Sequence, residues 1–119
     1  MNDESRDGRH EALDEFSRRE SVFPGGEHAT RNCTACTRVI VHRFGGEVRG
    51  YLHADNPTAS VGEVEYGHDF AVTADGFLVD PWLFHYYVEE PVLDLDTDSG
   101  RDEALRRYGP CVNWILVPL

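Results

Sequence analysis

Three residues of this chain have the side chains that acyl-transfer chemistry needs: Cys33, His68 and Asp80. A thiol is a strong nucleophile only as the thiolate. An imidazole takes up and returns a proton near neutral pH, and a carboxylate can hold that imidazole in one tautomer and one orientation. Distance along the chain is no obstacle if the right elements carry the three groups. Cys33 stands where a helix is expected to open, with Asn32 as an N-cap residue, a helical stretch to Phe44 and Gly45-Gly46 as the stop. A helix N-terminus carries partial positive charge and unpaired N–H groups, so it favours a thiolate and can bind an oxyanion. His68 and Asp80 belong to Gly67–Trp82, GHDFAVTADGFLVDPW, which reads as two strands, 68–74 and 77–80, around Asp75-Gly76. A tight primed turn there, with positive φ at both central residues, would bring His68 at one strand's start beside Asp80 at the other's end.

On the helix, Cys33, Cys36, Ile40 and Phe44 fall on one face, and Arg38, His42 and Arg43 lie elsewhere. That face is expected to pack on the sheet, with Cys33 pointing from the helix end toward it and Cys36 one turn deeper. Cys36 stays open as an alternative nucleophile. The pair could also form a redox dithiol, although the βαβ setting of such sites is missing. A zinc site could draw on His28, Cys33, Cys36 and His42, yet no second CxxC or paired histidines follow, so neither a metal nor a cofactor is expected. Asp69 competes with Asp80 as a carboxylate, but as the neighbour of His68 on a strand it points to the opposite face. Trp82 and Phe70 are expected to line the cleft, and His85 is a weaker candidate. The acidic run 94–98 lacks the regular spacing and glycine of a calcium loop.

The remaining segments must frame that site. Residues 1–10 are polar and read as a disordered tail, and 11–20 as a short helix using Leu13 and Phe16. Phe23-Pro24-Gly25-Gly26 opens a loop. Residues 47–53 alternate like a strand, 59–66 are ambiguous, and the aromatic run 82–88 has no clear type. A further strand is expected at 92–95. Ser99 with Asp102 resembles a capping box for a helix to Tyr108, and 112–117 reads as a closing strand with Cys111 buried beside it. Together these give an α+β domain over 11–119, an antiparallel sheet with helices on one side.

Composition narrows the function. The chain has 119 residues, enough for one domain, with 40% hydrophobic and 11% aromatic content. Its formal net charge is −11, from 22 acidic residues against 11 basic ones, which argues against nucleic acid or an anionic membrane as partner. Every basic residue is arginine, a bias that fits a high-GC or salt-adapted source. No stretch resembles a membrane span or a secretory signal, and three cysteines do not make a full disulfide framework. A cytoplasmic setting is therefore expected, with export as an effector also open because such proteins can lack a signal peptide.

Asn32-Cys33-x-x-Cys36 at a helix start, Gly67-His68-x-Phe70-x-Val72 and Val79-Asp80-Pro81-Trp82 resemble the papain-like superfamily, closest to small bacterial papain-fold toxin and glutamine-deamidase domains. The likeness covers roughly residues 30 to 85. It implies a central N-terminal helix packed on a small antiparallel sheet, with Cys33 as nucleophile, His68 as general base and acid, and Asp80 as the orienting residue. It also implies attack at an amide carbon of a protein or peptide, as in peptidases, amidases, deamidases and transglutaminases. The chain departs from the family at the oxyanion hole. No glutamine lies in the loop before Cys33, so Asn32, the Cys33 N–H or a residue the sequence does not reveal must serve. A non-catalytic interaction module of the same fold is the alternative.

Overall fold

Alternating strands and an amphipathic helix leave one sheet to be covered. The computed structural model, which describes residues 2–19, 22, 33–61 and 67–119, shows how that is done. The described chain is an α+β fold with helices α1 (Asn2–Ser17), α2 (Cys33–Phe44), α3 (Pro81–Tyr87) and α4 (Asp98–Tyr108). Strands β1 (Glu47–Tyr51), β2 (His68–Val72), β3 (Phe77–Val79), β4 (Val92–Asp94) and β5 (Ile115–Val117) form an antiparallel sheet in the order β4-β3-β2-β1-β5. None of the described helices is long and apolar enough to cross a membrane.

The helices lie on both faces of the sheet, not on one as expected. Leu13 of α1 and Ile40 and Val41 of α2 pack on Val48, Ala71, Phe77, Val79 and Val92. The alternate residues Tyr51, Phe70, Leu78 and Leu93 pack on Leu83, Ala104 and Tyr108 instead. Phe70 and Ala71 are neighbours on β2 and both are fully buried. A strand buried on both sides loses the simple apolar-polar contrast, which is why the pattern suggested a single covered face.

The register places the site. α2 ends at Phe44, and Gly45 and Gly46, both at positive φ, reverse the chain into β1. β1 then runs back toward the start of α2, and Tyr51 pairs with His68. The first turn of α2, the end of β1, the start of β2 and the end of β3 therefore meet at one end of the sheet.

Several local expectations change. Residues 2–10, expected as a disordered tail, are the first turns of α1. Arg6 bonds Asp94 at 2.6 Å and the carbonyls of Asp75 and Gly76, and Arg9 bonds Asp75 at 2.8 Å, so the helix is fastened to the hairpin. The hairpin loop has three residues and positive φ only at Gly76, not a two-residue primed turn. Thr73 supplies the difference, accepting the Phe77 N–H on its hydroxyl at 3.0 Å. The aromatic run is helix α3. Thr97, not Ser99, caps α4 by accepting the Gly100 N–H. A 3-10 turn at Cys111–Asn113 delays β5 to Ile115 and leaves Cys111 exposed rather than buried. Most of the ambiguous stretch 59–66 lies outside the described residues.

Candidate active site

His68 owes its position to the glycine before it. Gly67 has φ of 73°, and a Cβ there would collide with the Tyr51 carbonyl and lie 2.8 Å from the Leu52 Cα. Only glycine lets β2 start this close to β1 in a left-handed conformation. Asp80 leaves β3 and caps α3: its Oδ1 accepts the Leu83 N–H at 3.1 Å, and Pro81 fills the first helical position. Its other oxygen, Oδ2, lies 2.7 Å from His68 Nε2. The imidazole and carboxylate that the hairpin was expected to join are thus in direct contact, at 3% and 0% exposure.

A third residue completes the arrangement. The Tyr108 hydroxyl donates to the same Asp80 Oδ2 at 2.7 Å, from the last residue of α4. Its ring lies 6.0 Å from the imidazole and 6° from parallel to it, while Trp82 approaches within 5.0 Å. Burial, and then the Asp80 charge, hold the Tyr108 phenol well above its usual range, so it stays protonated and can only donate here. The backbone of Tyr108 is held as well, its carbonyl accepting from Asn56 at 2.6 Å and from Trp114 at 2.8 Å. A carboxylate that accepts from tyrosine also accepts from imidazole. This assigns the proton of neutral His68 to Nε2 and makes Nδ1 the ring atom with basic character.

The first turn of α2 reaches β2 one residue further on. Thr34 donates its hydroxyl to the Asp69 carboxylate, and the Thr37 hydroxyl lies 3.4 Å from the Asp69 carbonyl. Asp69 thus faces α2, on the side of the sheet opposite His68, as strand alternation requires. Cys33 is the first residue of α2, so its backbone lies at the His68 end of the sheet. Its side chain, like Asn32 and His28, lies outside the described residues. Cys36 is fully buried.

Of the expected cleft residues, Trp82 lines a cleft of about 350 Å³ with Val61, Leu83, Tyr87 and Arg106. Phe70 is fully buried and packs on Tyr108 and Trp114, beneath the site rather than on a cleft wall. His85 turns away, its Nε2 lying 3.0 Å from the Ser17 carbonyl. Among the described residues no group of three or more His, Cys, Asp or Glu side chains could hold a metal ion.

Sequence reasoning missed Tyr108 and the Thr34–Asp69 bond. A tyrosine closing a helix before Gly109 carries no sign of contact with a residue 28 positions upstream. Threonine in a first helical turn signals hydrogen bonding, but not the partner. Compared with known proteins, the chain matches no family model, no curated protein and no solved structure.

Proposed function

We propose that the chain is a thiol-dependent hydrolase or acyltransferase acting at an amide carbon, in a peptide or a glutamine side chain. Cys33 is the nucleophile, His68 the base and acid, and Asp80 the orienting carboxylate. The observation that carries this reading is the buried 2.7 Å contact between His68 Nε2 and Asp80, at the end of the sheet where α2 begins. That contact leaves Nδ1 as the atom suited to take the thiol proton, and the resemblance to papain-like motifs supports the same roles. The Cys33 thiolate attacks the amide carbon, and N–H groups at the start of α2 receive the developing oxyanion. His68 returns the proton to the departing amine or ammonia. Water then hydrolyses the thioester, or an acceptor amine takes the acyl group.

One observation favours the second reading, a non-catalytic module. His68 is almost wholly enclosed by Tyr108 and Trp82, and the β2 side chain bonded to α2 is Asp69. Iodoacetamide labelling at pH 7 separates the two. A working Cys33 alkylates far faster than exposed Cys111 and buried Cys36, and His68→Ala removes that advantage. Labelling of Cys33 no faster than Cys111, unchanged by His68→Ala, leaves only the module. Loss of activity with Cys36→Ala but not Cys33→Ala moves the nucleophile to Cys36.

A further inference from the structure

Asp80 meets two donors on one oxygen, and only one of them belongs to the proposed triad. Oδ2 lies 2.7 Å from both His68 Nε2 and the Tyr108 hydroxyl, whose ring also lies nearly parallel to the imidazole. A second donor on the oxygen facing the imidazole withdraws negative charge from it, so the carboxylate pulls less strongly on the imidazole proton. The hydroxyl also fixes where Oδ2 sits, and through it the plane of the ring. We propose that Tyr108 is a positioning residue: through Asp80 it keeps His68 in the Nε2–H tautomer and holds down its basicity.

The inference rests on the proposed Cys-His-Asp reading for its importance to catalysis, but not for its test. Titratable groups on the elements around His68 are Tyr51 paired opposite it on β1, Asp69 beside it on β2, Tyr86 on α3 and Arg107 beside Tyr108 on α4, the Cys33 side chain lying outside the described residues. Tyr51 donates to the Val61 carbonyl, Asp69 accepts from Thr34, and Arg107 bonds Glu103 at 2.7 Å. Among the described residues, the Tyr108 hydroxyl is the one that donates to Asp80.

The experiment is 15N NMR titration of the His68 ring in wild type, Tyr108→Phe and Trp114→Phe, with Cys33 alkylation measured against pH on the same samples. Tyr108→Phe is expected to raise the His68 pKa by about 0.5–1 unit, since one hydrogen bond to an ionised group is redistributed. With His68 as the base for Cys33, the pH at which Cys33 alkylation accelerates falls, because a more basic imidazole takes the thiol proton more readily. Trp114→Phe removes a bond to the Tyr108 carbonyl but spares the hydroxyl, so it leaves both unchanged. An unchanged His68 titration and tautomer in folded Tyr108→Phe overturns the proposal. So does an equal shift in Trp114→Phe, which would mark a general packing effect. If Tyr108→Phe does not fold, wild type decides: a slowly exchanging Tyr108 hydroxyl proton with a cross-peak to the His68 ring is expected, and its absence overturns the assignment. Ordinary reactivity of Cys33 in wild type refutes the hydrolase reading and leaves the NMR result readable.

Discussion

The two faces of the sheet are held by different kinds of force. On the α1 and α2 face, Leu13, Ile40, Val41, Ala71, Val79 and Val92 form an apolar layer. On the α4 face, the apolar residues surround Asp80, which receives Leu83 N–H, His68 and Tyr108, while the Tyr108 carbonyl receives Asn56 and Trp114. Apolar layers tolerate exchange of similar volumes, because area and fit set their energy. A buried polar network depends on each member having its partner. A domain seeking stability alone has no need of the second arrangement, so its presence marks a place where geometry is specified. Asp80→Ala tests this most strongly: it strands three donors in a dry site, and a loss of about 3–5 kcal/mol is expected in urea unfolding. A loss below about 1 kcal/mol would mean that water reaches the network and that the contrast between the faces is false.

Gly67→Ala sharpens the comparison at the strand start. The φ of 73° and the closeness of the Tyr51 carbonyl and the Leu52 Cα both oppose a Cβ. We expect a cost of about 2 kcal/mol or more, with the NMR signals of His68 and Tyr108 displaced. A substitution that costs stability but leaves those signals in place would separate strand pairing from site geometry. On the other face, Ile40→Val should cost only about 1 kcal/mol, measured by thermal or urea unfolding. It should leave the His68 titration where it was, because the sheet separates the two layers. A His68 shift in Ile40→Val would show the faces to be coupled.

The legible parts of the chain were those whose signals are local. The bounds of α2 followed from a helical stripe and a double-glycine stop, and the hairpin from alternation around Asp75-Gly76. The contact of His68 with Asp80 then followed from strand geometry. Helix α3 was hidden because Trp82, Phe84, Tyr86 and Tyr87 show no single apolar stripe. Its true signal was Asp80-Pro81, an N-cap followed by a first-turn proline, which also reads as the end of a strand. The helical state of residues 2–10 depends on Arg6 and Arg9 reaching residues 66 to 88 positions away, which no window of sequence displays. Tyr108 was missed for the same reason. Its partner is set by how α4 crosses the sheet, and that crossing exists only once the fold does.

The rim of the α4 face provides the smallest effect, one that fades as pH falls. Glu103 accepts from Arg106 at 2.5 Å and from Arg107 at 2.7 Å. The Arg106 bond foremost, with Arg107 adding and burial opposing, lowers its carboxyl pKa from 4.5 to about 2. A carboxyl group that is more acidic in the folded state stabilises the fold above its unfolded value, and that stabilisation disappears as pH falls from 4.5 to 2. With 30% of its side chain exposed, the pair is screened, so Glu103→Gln should cost about 0.5–1 kcal/mol at pH 7. Urea unfolding at pH 7, 4, 3 and 2 should show wild type and variant converging as the carboxylate becomes protonated. A difference that stays constant down to pH 2 would place the role of Glu103 in packing instead of charge. The His68 titration should stay fixed in Glu103→Gln. Arg107 keeps its bond to the Glu90 carbonyl at 2.8 Å, so α4 remains seated with Tyr108 in place. Movement of His68 in this variant would extend the specified geometry from Asp80 out to the solvent edge of α4.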